Sequence, residues 1–207
     1  MTVRQNLLES DEFVLSETKK IQELFKLKKE PRYHLERNEE IFAESVADHV
    51  YAMHTLADYF LPLEDEVGQW DQNLIHTMIT YHDIDEIETG DTIAYMKTAD
   101  MIENEATAAE RVISTIPESM QTMVTETLAM YEAQDTPEAR FVKALDKIEV
   151  VFHMYTDHGR KIFAYNKTTR EQHASVKDKY VKDFPTLKRF CDVVSEQLAT
   201  EGFYYQA

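Results

Sequence analysis

Apolar residues along this chain return every three or four positions, segment after segment, and that period suits helices. The longest stripe runs from Phe42 to Leu61 through Val46, Val50, Met53, Leu56, Ala57 and Phe60, with Pro62 expected to stop it. A second covers Ile21, Leu24, Phe25 and Leu27, behind Ser16 as cap and before Pro31. Further helices are expected over Trp70 to Tyr81, over 101 to 116, from Pro117 through Tyr131, and from Thr136-Pro137 through Tyr155. Two more fall at about 170–181 and 186–200. Four glycines and five prolines are too few for the many tight turns of a β-sandwich. The expectation is an all-α helical bundle, one domain over residues 1–207, with no strand, repeat or low-complexity tract. Residues 1–15 suit a short helix or an arm, and 30–40 a loop. The apolar tail Gly202-Phe203-Tyr204-Tyr205 either tucks back or meets a second subunit.

A formal charge of −17, from 22 basic and 39 acidic residues, argues against a nucleic acid polymer or an anionic membrane as partner. A small anion is still admitted where a cation reverses the sign locally. No apolar run approaches about 18 residues and no basic-then-apolar leader opens the chain, so the expected location is cytoplasmic. The single Cys191 lies among Phe190, Val194 and Leu198, which suits a small buried hydrophobe in a reducing compartment.

Chemistry concentrates in the thirteen residues from Ile79 to Asp91, where one imidazole and five carboxylates follow an apolar helix. Charge packed this densely beside a core element calls for a cation. His82-Asp83 at that helix end, His49 on the stripe of the long helix and Asp146 inside the Thr136 to Tyr155 helix would give two imidazoles and two carboxylates from three helices. Such a mixed nitrogen and oxygen set suits a divalent first-row ion with open positions. Taken alone, an His-Asp pair is more commonly a surface loop, and a lone apolar-face histidine a core residue. No HExxH, GxSxG, glycine-rich phosphate loop or EF-hand loop is present. Among the other histidines, His54, His76 and His153 show no spacing that converges, and they are expected to be structural or exposed.

The order His, then His-Asp, then Asp resembles that of the HD-domain metal-dependent phosphohydrolases. The accompanying words are Pro31-Arg32, Glu44-Ser45-Val46-Ala47-Asp48-His49, His82-Asp83-Ile84-Asp85-Glu86 with Thr89-Gly90-Asp91, and Glu138 through Glu149 around Asp146. Together they are similar to the branch containing the 5'-deoxynucleotidases, over about residues 18–157, with helices of about 170–207 packed onto that core. The resemblance implies a single HD-domain helical bundle holding one divalent metal (cobalt, manganese, magnesium, iron or zinc) through His49, His82, Asp83 and Asp146. It places Glu86 and Asp91 beside the attacking water and the leaving group, Arg32 on the substrate phosphate and Tyr33 near the nucleoside. Its implied substrate is a nucleoside, in particular deoxyribonucleoside, 5'-monophosphate, and a homodimer is implied as the assembly.

Several stretches depart from that pattern. Arg37 competes with Arg32 for the phosphate, and the segment from Tyr33 to Asp48 is long and acidic. The basic and aromatic stretch from Arg160 to Lys167 either lines the pocket mouth or is a solvated loop. Rival functions are a cyclic phosphodiesterase, a di-iron oxygenase, which needs further histidine ligands, and a non-catalytic nucleotide-binding helical module.

Overall fold

The computed structural model describes residues 3–34 and 43–206, so Arg37 and Phe42 lie outside the described residues. Twelve α-helices account for most of what is described, and no strand occurs among those residues. An isolated antiparallel bridge, Pro31 with Ser45, ties the segment carrying Arg32 to the start of a long helix.

Helix α1 (Val3–Glu9) leads into α2 (Asp11–Leu24). Ser10, and not Ser16, caps α2 by accepting from the Phe13 amide, with Asp11 and Glu12 complementing the positive helix start. A tighter 3₁₀ turn, Phe25–Lys28, ends this unit before Pro31. Helix α3 (Val46–Glu64) begins at a capping box in which Ser45 and Asp48 satisfy each other's backbone amides. Pro62 does not stop it, since a proline in the last turn removes one helical hydrogen bond and the chain continues to Glu64. Helix α4 (Gln72–Tyr81) is capped by Asp71, two residues inside the expected start at Trp70.

Next come α5 (Glu86–Thr89), α6 (Ala99–Thr115), α7 (Glu118–Ala133) and α8 (Pro137–Met154), the last capped by Thr136 with proline at its first position. The stretch from Arg160 onward is no loop: α9 (Asp157–Asn166) is a helix capped by Thr156. Its Gly159 lies against the end of α8, where an added Cβ would fall 2.2 Å from the Met154 carbonyl oxygen, so only glycine fits. The expected helix at 170–181 is two, α10 (Arg170–Ser175) and α11 (Asp178–Val181), before α12 (Pro185–Thr200).

Helix α8 is the axis: α3, α4, α7, α9, α11 and α12 all pack on it. Its apolar residues Phe141, Val142, Leu145, Ile148 and Val151 are fully buried, against Met53 and Phe60 of α3, Ile75 and Met78 of α4, and Leu187 and Cys191 of α12. Cys191 is therefore the buried hydrophobe its neighbours imply. The tail folds back, with Phe203 and Tyr204 buried and the Tyr205 amide bonded to the Thr168 carbonyl. No described helix is long and apolar enough to cross a membrane.

Candidate metal centre and substrate cavity

An acidic and basic cluster interrupts this apolar core where α3, α8 and the end of α4 meet. His49 projects from α3 and is completely buried. Its Nδ1 lies 2.8 Å from a Glu149 oxygen of α8. A carboxylate only accepts, so Nδ1 carries the hydrogen and Nε2 is a bare lone pair. His82 repeats the arrangement at the C-cap of α4: its Nδ1 donates to the Ile79 carbonyl at 2.9 Å, which leaves Nε2 bare. Both Nε2 atoms are buried with no hydrogen-bond partner. Between them stands Asp83 Oδ2, 3.0 Å from His82 Nε2 and 3.8 Å from His49 Nε2. His49, His82 and Asp83 each offer a ligand atom within 4.8 Å of the others.

Asp146 reaches the same place from α8, with Oδ1 3.6 Å from His49 Nε2. Its Oδ2 is held by Lys147 at 2.8 Å and by the Tyr131 hydroxyl at 3.2 Å. Two buried imidazole lone pairs facing two carboxylates leave a gap that only a cation fills without an unpaired polar group. The electrostatics agree. Burial and Arg32 oppose a charge on His49, yet Glu149 and Asp146 outweigh them and carry its pKa up to about 9, so a proton takes the Nε2 lone pair wherever a metal does not. Burial would raise Asp83, but His82 and His49 hold its carboxyl below the usual range. This cluster draws positive charge to its centre, and its donor set fits the divalent ion implied by the sequence pattern.

Arg32 sits at the rim, buried, with Nη1 3.9 Å from Asp83 Oδ2 and Nε 3.3 Å from Glu44 Oε1. Tyr33 follows in the left-handed region at φ 65°, a strained backbone for a bulky residue. What holds it is Asp91, whose Oδ2 accepts from the Tyr33 amide at 2.5 Å. Asp91 in turn follows Gly90, whose φ of 70° suits glycine. The Tyr33 ring stacks on His153 at 5.9 Å, and its hydroxyl donates to Glu44 at 3.3 Å. Glu86 opens α5, buried, with Oε2 unpartnered. Burial, then Asp83 and Asp91, push its carboxyl well above the usual range while Arg32 opposes.

Arg32, Tyr33, His82, Asp83, Glu86, Asp91, Tyr131, Asp146 and Lys147 line one cavity of about 750 Å³, within the ordinary size of a small-molecule site, while His49, Glu149, Glu44 and His153 stand behind them. Ala106, Ala109 and Ile113 of α6 and Leu128 of α7 make one apolar wall, and Ile162 and Phe163 of α9 another. The Arg160 to Lys167 stretch thus contributes Ile162, Phe163 and Asn166 to the cavity, while Arg160 itself donates to the Glu201 and Gly202 carbonyls.

Sequence reasoning gave no role to Glu149, yet it fixes the tautomer of His49; its position one turn after Asp146 on the same face was the available signal. It missed Lys147 and, further along the wall, His173 and Lys177. Lys177 is buried, its Nζ donating to the His173 carbonyl at 2.8 Å, and no carboxylate ion pair to it is present among the described residues. Burial, with Lys147 adding to it, brings its pKa down to about 7. A lysine depressed from its unfolded value near 10.4 weakens folding fully below pH 7, and stability is recovered as pH rises through that window. Lys177→Met should therefore raise the melting temperature by several degrees at pH 7 and by much less at pH 10, measured by calorimetry. An equal shift at both would mean that Lys177 stays charged when folded.

The chain matches the HD-domain family model over residues 24–188, and it belongs to that family. Among curated proteins it is similar to a 5'-deoxynucleotidase, HDDC2, of Xenopus laevis, 32% identical over 110 residues. That match covers 52% of each protein, so the chain spans about half the length of this relative. Among solved structures, a Magnetospirillum magnetotacticum protein described as a predicted metal-dependent phosphohydrolase superposes with a TM-score of 0.77 at 23% identity, over 93% of this chain and 98% of that one. An HD-domain phosphohydrolase from Listeria innocua superposes at 0.57 and 18% identity, over 89% and 85%. These two likenesses show the fold.

Proposed function

We propose that the protein is a metal-dependent phosphohydrolase that removes phosphate from nucleoside, in particular deoxyribonucleoside, 5'-monophosphates. The observation that carries this reading is the pair of buried, unpartnered Nε2 atoms of His49 and His82 facing Asp83, with the Arg32 guanidinium next to that carboxylate. The name of the Xenopus relative supports the substrate class.

In this reading His49, His82, Asp83 and Asp146 hold one divalent ion. When bound, that ion lowers the pKa of water and draws negative charge from a phosphoryl oxygen. Arg32 binds two phosphate oxygens with its fork, a task lysine performs less well. Glu86, whose Oε2 is free, orients the attacking water and takes its proton as the new P–O bond forms. The bond from phosphorus to the 5'-oxygen breaks, and Asp91 is placed to supply the proton that oxygen needs. One Asp91 oxygen is already committed to the Tyr33 amide, so the same residue also fixes the backbone at Tyr33. Tyr33 and the apolar walls from α6, α7 and α9 receive the nucleoside.

Phosphate release from a panel of 5'-monophosphates is the test, before and after chelation and with cobalt, manganese or magnesium restored. Turnover that disappears with chelation and returns with metal is expected. Absence of turnover on every monoester, with metal confirmed on the protein, would overturn the reading.

A further inference from the structure

On the outer side of α3 and α4, His54 and Asp58 lie one turn apart on the first helix. Gln72, His76 and Thr80 follow at one-turn steps on the second. The two imidazoles stack at 5.0 Å with planes 17° apart, and their Nδ1 atoms approach to 2.7 Å. The outer nitrogens decide what that approach means. His76 Nε2 lies 3.3 Å from Asp58 Oδ1, and a carboxylate only accepts, so Nε2 carries the hydrogen. The Gln72 amide nitrogen stands at 3.5 Å on the same side, at the limit of hydrogen-bond reach, so the Asp58 carboxylate is the nearer partner of Nε2. Thr80 gives its one hydroxyl hydrogen to the His76 carbonyl at 2.8 Å. Towards His54 Nε2, 3.3 Å away, it is left as an acceptor, so that nitrogen too is protonated. Both neutral rings therefore turn bare Nδ1 lone pairs on one another at hydrogen-bond distance. Two lone pairs repel there unless something positive stands between them.

We propose that His54 and His76 form a second cation site, separate from the buried centre, that takes a borderline transition ion such as zinc, nickel or copper through the two Nδ1 atoms. Imidazole donors select these ions over magnesium or calcium. Asp58 and Thr80 act as the outer partners that orient each ring, the arrangement by which proteins fix metal-binding histidines. Tetrahedral bonds of about 2.0–2.1 Å need the nitrogens only about half an ångström further apart, which two partly exposed side chains allow. Water completes the coordination. Burial, and the proximity of His76, lower the pKa of His54 and keep it available as a ligand rather than protonated. The occupant that competes with the metal is a single shared proton.

Metal content after equilibrium dialysis of the full chain against nickel or zinc decides between them, comparing the natural protein with His54→Gln and His76→Gln. Expected is one more equivalent per chain in the natural protein than in either variant. With copper, nitrogen hyperfine structure from two imidazoles should appear in its electron paramagnetic resonance spectrum and be lost in both variants. Both substitutions lie on a half-exposed face, and a melting curve for each establishes that it folds. Equal stoichiometry in all three proteins would overturn the proposal. So would a histidine Nδ1 proton resonance that persists unchanged under excess zinc, because the gap would then hold a proton.

Discussion

Asp83→Asn should abolish metal retention and lower phosphate release by about a thousandfold or more, on the scale of losing a strong electrostatic contact in a dry site. Asp83 Oδ2 is the atom that both imidazoles and Arg32 face, at 3.0 Å from His82 Nε2, 3.8 Å from His49 Nε2 and 3.9 Å from Arg32 Nη1. Asparagine keeps the shape and removes the charge. Arg32 is then less well balanced, and a cation entering the centre meets a guanidinium with one carboxylate fewer to offset it. Because Asp83 is not part of the apolar core, the metal-free variant should melt within a few degrees of the natural chain. Added metal should stabilise only the natural chain, through ligand binding to the folded state. Elemental analysis, calorimetry with and without metal, and phosphate release read the three effects separately. Full metal occupancy in Asp83→Asn would remove Asp83 from the ligand set, and unchanged occupancy with no turnover in either protein would favour a non-catalytic binding module.

Glu86→Gln should leave metal occupancy intact and reduce kcat by about 10²–10⁴-fold, the usual contribution of a positioned proton-transfer group. The side chain is buried, with one oxygen unpartnered and aimed into the cavity beside Asp83 and Asp91. Glutamine can still orient water through its carbonyl but cannot take a proton. The contrast with Asp83→Asn is the informative part: one substitution should cost the metal, the other only the rate. A Glu86→Gln protein that retains full kcat would move the proton transfer to Asp91. A loss expressed wholly in KM would make Glu86 a binding group.

Much of the fold could be read from local pattern. The stripes of α3, α4 and α8 follow from apolar residues three and four apart, and Thr136-Pro137 marks the start of α8 because capping chemistry is local. Two departures were local and one came from a distant contact. Ser10 displaced Ser16 because acids at 11 and 12 favour the earlier start, and Pro62 was absorbed by a helix end. The α9 helix was hidden because its buried face, Ile162 and Phe163, packs against the tail at Phe203 and Tyr204, some forty residues away.

The order His49, His82-Asp83, Asp146 was legible in the sequence alone, since each sits at a definite place on a helix whose period the sequence announces. Which groups stand behind them was not. Glu149 meets His49 across one hundred positions, Asp91 clamps the Tyr33 backbone across fifty-eight, and His54 meets His76 across twenty-two. Helical period fixes which face a side chain occupies; only the way α3, α4 and α8 pack on one another fixes what it faces. The tautomers of the histidines, the clamp on Tyr33 and the surface histidine pair therefore belong to the tertiary structure, because a hydrogen bond acts over about 3 Å and the chain must fold before its partners are within reach.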